Sequence, residues 1–483
     1  MEEQRKLQLA TDFYQLSVSN VYFEKGFKDR KAVFDVFIRR NPFEGGYSVF
    51  AGLEQVIEYI NNLRFEEDDI ALLKENHPEL TDGFLDYLRE FKFSGEIYAM
   101  EEGEIFFPTE PVLRVKTNLI EAQIIETAIL AIINHQSLIA TKASRIVSAA
   151  GTYAPVLDFG LRRAHGTEAG LYGSRACIIG GCVGTSNVEA EYKWDTVSKG
   201  TISHAFIMAF DSELEAFRAY AKYNPDNLIL LADTYDTLGS GIKNAIKVFN
   251  EEREAGRLKG SYGIRLDSGD LTYLSVKARE MFDEAGFESA VISASNDLDE
   301  FIISDLRNQG AKIGMYGVGT KMITADGTSA LGGVYKLAAI ERDGKLSPKI
   351  KVSNDPIKIT NPGYKKVLRF YDNLTNVAIA DLITLNDEVI DDTKPLTIYH
   401  PVHTWKKRTI ENFHVKELLK PIFVDGKQVY NSPKLSEIRE NHMVARSTFW
   451  PEFLRLINPS EYHVDVSDKL FDIKKDLLAS VQK

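Results

Sequence analysis

Apolar and polar residues alternate in two different rhythms between about residues 154 and 345. Seven short apolar segments of this region are typical of buried strands: 155–159, 176–179, 201–208, 228–232, 261–266, 289–294 and 312–318. Helical spacing follows several of them, as in 212–223, where Ser212 and Glu215 match a capping box, and in 297–307, which Gly310 ends. Strands that alternate with helices predict a parallel sheet, and we expect a parallel α/β barrel, complete or incomplete.

The segments on either side of this region have other patterns. Residues 1–116 combine helix-like stretches at 13–27, 47–63 and 67–91 with strand-like stretches at 32–39 and 96–115, which predicts an N-terminal α+β domain. Residues 117–153 are apolar with several charged interruptions, so we expect a buried helical bridge and not a membrane span. A hairpin pattern occurs at 341–347. The pattern of residues 346–483, with a polar strand at 349–358 and a final helix at 470–481, predicts a strand-rich, mixed α/β C-terminal domain.

Composition and charge narrow the class of protein. A chain of 483 residues is too long for one ordinary core, so two or three domains are expected. The net charge of -12 argues against non-specific binding of nucleic acid. Two cysteines, Cys177 and Cys182, fit a reducing cytosol and are too few for a structural zinc site. The N-terminus is polar and resembles no secretory signal, so we expect a cytoplasmic protein.

Charged and glycine residues cluster where the expected strands end. The segment 261–271 alternates as a strand through Arg265 and Asp267, then turns at Gly269 and continues as a helix that Asp270 can cap. Similar polar ends follow or begin other segments, at 158–166, 200–206, 232–237, 293–297 and 316–321. Because parallel strands deliver these ends to one edge of a sheet, they predict a pocket for a phosphorylated ligand. For one strand alone, a buried ion pair of Arg265 with Asp267 explains the pattern equally well.

Several familiar nucleotide motifs are missing from the sequence. No P-loop and no G-x-G-x-x-G that opens a helix occurs anywhere in the chain. The segment 228–237 resembles the acidic loop of doubly wound phosphoribosyltransferases but lacks their adjacent acid pair, so we interpret it as a strand. A sugar-phosphate lyase or aldolase would need a Schiff-base lysine in an apolar strand, and Lys321 is flanked by a glycine turn. A non-catalytic phosphate-binding protein stays open.

Seven motifs in order along the chain resemble nicotinate phosphoribosyltransferases, a type II phosphoribosyltransferase family: LATDFYQLS, DFGLRRAHG, GTSN, GTISHAF, RLDSGD, SNDLDE and GVGTK. The resemblance implies transfer of the phosphoribosyl group of PRPP to nicotinate, which gives nicotinate mononucleotide and diphosphate. This is the first step of NAD salvage from nicotinate. It also implies ligase-type coupling to ATP hydrolysis, a need for Mg²⁺, and a homodimer with shared active sites. Nicotinamide and quinolinate phosphoribosyltransferases are the nearest alternatives.

The resemblance also implies roles for individual residues. His204 matches a histidine that ATP phosphorylates, although a polar histidine of the barrel interior is its simplest reading. Arg265 matches the arginine that binds the nicotinate carboxylate, which a guanidinium can grip with two hydrogen bonds. Phe159 and Tyr14 match aromatics that sandwich the pyridine ring, with Tyr14 supplied by the partner subunit, and Thr201 would lie beside the base.

The remaining matched positions concern PRPP, the metal and the choice of base. Asp267 matches an acid near the ribose and is a candidate Mg²⁺ ligand. Nicotinamide enzymes carry an aspartate where this chain has Ser186, and a serine can donate a hydrogen bond to a carboxylate that an aspartate would repel. We therefore expect a preference for nicotinate. The expected PRPP and diphosphate contacts are Arg162, Arg163, Asn296, Gly319 and Thr320.

Overall fold

Helices make up much of this computed structural model, which describes residues 7–152, 154–400 and 405–481. The expected helical bridge, 117–153, ends on a residue outside the described part. The α-helices are α1 (Phe13–Glu24), α2 (Leu53–Asn62), α3 (Glu67–Asn76), α4 (Asp82–Arg89), α5 (Leu119–Ile124), α6 (Glu126–Ala150), α7 (Thr167–Ile179), α8 (Val188–Trp194), α9 (His204–Met208), α10 (Glu213–Tyr223), α11 (Ile242–Glu254), α12 (Leu271–Glu284), α13 (Glu300–Asn308), α14 (Thr320–Ile323), α15 (Leu435–Ser447) and α16 (Asp468–Val481).

The strands are short and belong to four sheets. They are β1 (Lys31–Phe37), β2 (Ser48–Val49), β3 (Glu96–Ala99), β4 (Ile105–Phe106), β5 (Leu113–Asn118), β6 (Val156–Asp158), β7 (Gly184–Thr185), β8 (Asn227–Leu231), β9 (Ser261–Leu266), β10 (Val291–Ala294), β11 (Met315–Val318), β12 (Val334–Arg342), β13 (Lys345–Pro348), β14 (Lys365–Asp372), β15 (Ala378–Leu385), β16 (Leu396–Tyr399), β17 (Lys407–Ile410), β18 (Phe413–Glu417), β19 (Lys420–Val424), β20 (Lys427–Gln428) and β21 (Val464–Val466).

The chain divides into two compact units. The first unit consists of Met1–Leu138, Ala330–Pro433 and Asn441–Lys483, and the second of Ile139–Ser329 and Lys434–Glu440. The four domains expected from the sequence stay a prediction. Among the described residues, no helix is both long enough and apolar enough to cross a membrane.

The second unit is built on a six-stranded sheet in the order β7-β6-β11-β10-β9-β8, and every pair of neighbours is parallel. Residues 228–231 of β8 are all buried, as expected for a parallel strand covered on both faces. The expected mixed α/β fold with a parallel sheet is confirmed. In the described part of the chain the end strands β7 and β8 are not paired with each other, so the sheet is open and no complete barrel is formed.

Several elements of this unit match the expectation closely. Strand β9 has the predicted bounds, and Asp270 caps α12 by accepting from the backbone N–H of Tyr273 at 2.9 Å. Ser212 caps α10 in the same way, with a 3.2 Å hydrogen bond from the backbone N–H of Glu215. Helix α13 starts three residues later than predicted, and Gly310 follows its end with a φ of 83°.

Two of the seven strands expected here are wrong. Residues 176–179 are the last turn of α7, where a buried apolar run looks the same in a helix as in a strand. Residues 201–203 are irregular and 204–208 form α9, because Ser203 caps that helix by accepting from the backbone N–H of Phe206 at 3.2 Å. Strand β7, with only two residues, was not predicted.

The first unit contains the other sheets. Seven strands form an antiparallel sheet in the order β13-β12-β1-β5-β3-β19-β20, and six form a mixed sheet in the order β17-β16-β21-β15-β14-β18. The hairpin at 341–347 is confirmed by the pairing of β12 with β13, and the final helix lies within α16. The helix expected at 47–63 begins only at Leu53, after Gly52 with a φ of 107°. The polar strand expected at 349–358 is wrong, because β13 ends at Pro348.

A cluster of charged residues is buried in the first unit. Arg369 is fully buried and pairs with Asp381 and Glu104, each at an N–O distance of 2.6 Å. Glu110 is also fully buried, and burial together with the neighbouring Asp381 raises its pKa well above the ordinary value. With its pKa raised, Glu110 keeps its proton to a higher pH than an ordinary glutamate, and the protonated form can donate a hydrogen bond to the Asp381 carboxylate.

Candidate functional site

The end of β6 is shaped by a buried carboxylate. Asp158 accepts hydrogen bonds from the backbone N–H of Gly160 and from the hydroxyl of Thr185, both at 2.8 Å, and burial raises its pKa. These bonds fix the turn that carries Phe159. On the neighbouring strand β11, a Cβ at Gly317 would lie 2.5 Å from the Phe159 ring, so the ring occupies the space that a side chain at 317 would need. The absence of a side chain at Gly317 therefore makes room for the Phe159 ring.

A cavity of about 200 Å³ lies along the parallel sheet. It brings together three residues expected around the base, Phe159, Thr201 and Arg265. Strands on both sides of β9 contribute to its wall, and on β9 itself it reaches from Arg265 to Ser261, a distance of about 13 Å at the usual rise of a strand. The other lining residues are Leu157, Val183, Lys199, Gly200, Asp226, Asn227, Ile229, Ser293, Ala294, Met315 and Gly317.

Arg265 is a charged residue in the wall of this cavity with a buried donor that no described residue uses. Its Nη1 donates to the hydroxyl of Thr201, whereas its buried Nε–H has no hydrogen-bond partner among the described residues. Burial lowers the pKa of Arg265, while the nearby Asp267 and Asp233 act in the opposite direction. Since a guanidinium stays charged in proteins, the open donor favours an anionic ligand group at this position.

His204 is the first residue of α9 and contacts the carboxylate of Asp233, which lies just after strand β8. Its Nε2 lies 3.3 Å from Oδ1 of Asp233; the His204 side chain is 42% exposed and that of Asp233 is 2% exposed. The other Asp233 oxygen accepts from the backbone N–H of Asp267 at 2.9 Å and from the hydroxyl of Ser268 at 2.6 Å. Asp233 therefore ties His204 to the end of β9.

Sequence reasoning did not include Asp233 among the site residues. Its one available signal was its position, a carboxylate that follows directly after the apolar strand β8. Asp233 contacts His204, which is 29 positions away in the chain, and Asp267, which is 34 positions away. Such contacts depend on the neighbouring strand order in the folded sheet, which the local pattern does not reveal.

Asp267 and Asn296 lie at the ends of the adjacent strands β9 and β10. Oδ1 of Asp267 accepts a hydrogen bond from the hydroxyl of Ser295. The next two residues, Asn296 and Asp297, have φ values of 89° and 39°, a region that is uncommon for residues other than glycine. Strained backbone of this kind is typical of functional loops.

The end of β11 carries Gly319 and Thr320, and α14 begins at Thr320. A Cβ at position 319 would lie 3.2 Å from the backbone oxygen of Phe159, so the two strand ends approach closely. The adjacent Lys321 is engaged, because its ammonium group lies 2.6 Å from a carboxylate oxygen of Asp299. A lysine held in an ion pair is poorly suited to form a Schiff base.

The remaining expected residues have different surroundings. Arg162 and Arg163 lie on the exposed turn after β6, and neither side chain makes a hydrogen bond or ion pair within the described ranges. Ser186 follows β7, where its backbone N–H donates to the Asp158 carbonyl at 2.8 Å, and it is not in the wall of the cavity. Tyr14 belongs to the first unit, where it lies on α1 with its side chain 49% exposed.

Apart from Tyr14 and Ser186, the expected residues lie in the second unit in three groups. One group lines the cavity, a second is linked through Asp233, and a third occupies the exposed ends of β6, β10 and β11. Because these strands are parallel, their C-terminal ends share one edge of the sheet. No cluster of three or more His, Cys, Asp or Glu side chains suited to a metal occurs in the part of the chain that the structure describes.

Comparison with known proteins gives a consistent result. Three family profiles match: the nicotinate phosphoribosyltransferase N-terminal domain over residues 9–134, the nicotinate phosphoribosyltransferase family over 155–378, and the C-terminal domain over 364–474. The nicotinate phosphoribosyltransferase of Bacillus subtilis (strain 168) is 46% identical over 476 residues, which cover 99% of this chain and 96% of that protein. The enzyme of the same name from Caenorhabditis elegans is 36% identical over 96% of this chain and 92% of its own length.

A solved structure agrees with the sequence comparisons. The crystal structure of human nicotinic acid phosphoribosyltransferase superposes with a TM-score of 0.84 at 28% identity, and the match covers 98% of this chain and 100% of that chain. Similarity extends over the whole length in sequence and in fold. The chain therefore belongs to the nicotinate phosphoribosyltransferase family.

Proposed function

We propose that this protein transfers the phosphoribosyl group of PRPP to nicotinate, which gives nicotinate mononucleotide and diphosphate, with ATP hydrolysis coupled through a phosphohistidine. The observation that carries the proposal is the partly buried Arg265, whose buried Nε–H is unpartnered among the described residues, in a cavity beside Phe159. A pyridine carboxylate has one group that suits the aromatic ring of this cavity and one that suits its guanidinium. The ring can stack on the phenylalanine, and the carboxylate can accept from the guanidinium.

The chemistry needs few reactive side chains. As diphosphate leaves, positive charge develops at the anomeric carbon, and the nicotinate ring nitrogen attacks that carbon. Arg162 and Arg163 are exposed and unpaired among the described residues, so they are available to bind departing diphosphate. Asn296, Gly319 and Thr320, at the ends of β10 and β11, would hold the rest of PRPP. Catalysis would rest mainly on positioning.

A bound Mg²⁺ would neutralise charge on the diphosphate oxygens. The residues present fit this ion, because Mg²⁺ usually takes one or two protein carboxylates and completes its shell with phosphate oxygens and water. Asp267 is the carboxylate we assign to it, and Asp233 lies next to Asp267 through the hydrogen bond from the Asp267 backbone. A dedicated cage of protein ligands is not required for such a site.

His204 is the proposed acceptor of the ATP phosphoryl group. A neutral imidazole that donates through Nε2 to Asp233 keeps a lone pair on Nδ1, and this nitrogen can accept the phosphoryl group. Asp233→Asn would weaken the contact without removing the histidine. We expect it to reduce formation of acid-labile phosphohistidine from γ-labelled ATP, with Asp236→Asn as a control on the same loop. An unchanged rate of labelling would contradict the role of Asp233.

Ser186 remains the proposed determinant of nicotinate over nicotinamide. An aspartate at this position would place negative charge toward the carboxylate of the base, whereas a serine hydroxyl can donate to it. Ser186→Asp should therefore raise the kcat/KM for nicotinamide relative to nicotinate. If both bases keep their wild-type ratio in this variant, another residue selects the base.

We also propose a cytoplasmic homodimer in which Tyr14 of one subunit completes the partner's site. Mixing subunits tests this directly. Tyr14→Ala and Arg265→Gln subunits are each defective, but a mixed dimer would contain one intact site. Random reassortment makes about half of the dimers mixed, so about a quarter of wild-type activity should return. No recovery in the mixture, with dimers verified by sedimentation, would place both residues in the same subunit's site.

A further inference from the structure

Four side chains of the first unit form a closed ring of hydrogen bonds around the hydroxyl of Tyr14. Gln15 Nε2 donates to the Tyr14 hydroxyl at 2.6 Å, and that hydroxyl donates to Glu126 Oε1 at 3.4 Å. Gln123 closes the ring, since its Nε2 donates to Gln15 Oε1 and lies 3.4 Å from Glu126 Oε2. The ring joins the first turn of α1 to the segment at which α5 ends and α6 begins.

A second pair of hydrogen bonds ties the same two segments together. The backbone N–H of Asp12 donates to the Thr127 hydroxyl at 3.3 Å, and this hydroxyl donates to the Asp12 carboxylate at 3.0 Å. Asp12 is the N-cap residue of α1, but its side chain does not cap the helix. Its carboxylate is used instead to hold the start of α1 against Thr127.

The two glutamines and the tyrosine of this ring differ strongly in burial. Gln15 is fully buried and Gln123 is nearly so, whereas the Tyr14 side chain is about half exposed. Burying two amides stabilises a fold only if their donors and acceptors are satisfied. Here the satisfied amides fix one hydroxyl, and the aromatic ring attached to it keeps a solvent-exposed face. An exposed ring without such an anchor would sample several rotamers.

The charge states support this arrangement. Burial, Glu126 and Asp12 raise the pKa of the Tyr14 hydroxyl, so it stays protonated at neutral pH and can donate. Burial raises the pKa of Glu126, while Gln15 and Lys336 act against that shift. Glu126, the one acidic member of the four, accepts the hydrogen bond of the Tyr14 hydroxyl.

We propose that Glu126, together with Gln15 and Gln123, is a positioning residue that holds the Tyr14 ring in the orientation needed to stack on the pyridine base. This inference rests on the proposed function, in which Tyr14 completes the base site of the partner subunit. None of the three residues needs to contact the base. Their effect reaches the reaction through the ring of Tyr14 alone.

Steady-state kinetics of the dimeric enzyme test the proposal. Tyr14→Phe keeps the ring and removes its anchor, and Glu126→Ala removes the acceptor. Each should raise the KM for nicotinate about 2- to 12-fold, the range that one net hydrogen bond represents. The KM for PRPP should stay within roughly a factor of two. The double variant should resemble either single variant, because both changes break the same contact.

Tyr22→Phe is the matched control, because Tyr22 lies on the same helix with its ring against Phe27. It should leave both KM values unchanged. Wild-type enzyme that makes no nicotinate mononucleotide would overturn the proposed function and this inference with it. Active enzyme in which Tyr14→Phe and Glu126→Ala leave the nicotinate KM unchanged, or raise both KM values equally, would overturn the inference alone.

Discussion

Replacing Arg265 by glutamine removes one positive charge from the cavity along the parallel sheet and keeps a polar side chain there. In the free protein the Arg265 Nε–H is buried without a partner among the described residues, and burial lowers the pKa of the guanidinium. Both observations indicate that the guanidinium charge is incompletely stabilised in the free protein and is better stabilised when an anionic ligand binds. The variant should therefore lose ligand affinity without losing stability.

The magnitude follows from the bond that is lost. A hydrogen bond to a charged group contributes about 1.5–3 kcal/mol, which corresponds to roughly a 10- to 150-fold rise in the KM for nicotinate. Nicotinamide lacks the carboxylate, so its kcat/KM should change far less. The midpoint of thermal unfolding should stay the same or rise, because a partly buried and incompletely satisfied charge is gone.

The assay is steady-state formation of each mononucleotide at saturating PRPP, with thermal unfolding of the same preparations. Arg218→Gln is the matched control, since Arg218 is an exposed arginine of the second unit that pairs with Glu251 at 2.6 Å. It should leave both KM values unchanged. A nicotinate KM within twofold of wild type for Arg265→Gln, or equal losses with the two bases, would refute the assigned role of Arg265.

Three further changes have distinct expected results. His204→Ala should abolish PRPP-stimulated ATP hydrolysis and leave slow, ATP-independent product formation; retained stoichiometric hydrolysis would refute the phosphohistidine. Gly317→Ala should displace the Phe159 ring, destabilise the protein by about 1–3 kcal/mol and raise the nicotinate KM, whereas Gly314→Ala, where a Cβ has ordinary contacts, should do neither. Glu110 has a raised pKa, so its contribution to stability is fully present below its ordinary value of 4.5 and is lost as pH rises through the raised one. Glu110→Gln should remove this pH-dependent loss of stability. In urea unfolding, the free energy of unfolding of the variant relative to wild type should therefore be higher at pH 8 than at pH 5. An equal difference at the two pH values would contradict a raised pKa of Glu110.

The sequence predicts β9 to the residue because two signals agree there. Period-two alternation marks the strand, and Gly269 with Asp270 marks the turn and the helix cap. Residues 176–179 carry only one signal, a short apolar run, and that run is equally compatible with the buried end of α7. The local hydrophobic pattern therefore predicts the type of an element reliably only when a turn or cap residue also marks where that element ends.

The candidate site shows the same limit. Arg265, Thr201 and Phe159 could be named from motifs, and they do line one cavity. The role of Asp233 could not be read in advance, because its partners come from α9 and from the end of β9. Nor does the sequence say that Gly317 is small because the Phe159 ring fills its place. Both features arise from which strands become neighbours.

The central claim is tested most directly by incubating the purified protein with nicotinate, PRPP and Mg²⁺, with and without ATP, and measuring nicotinate mononucleotide by chromatography. The account predicts mononucleotide and diphosphate in equal amounts, formed faster when ATP is present and hydrolysed. Absence of mononucleotide under both conditions, or its formation only from quinolinate with release of CO₂, would contradict it.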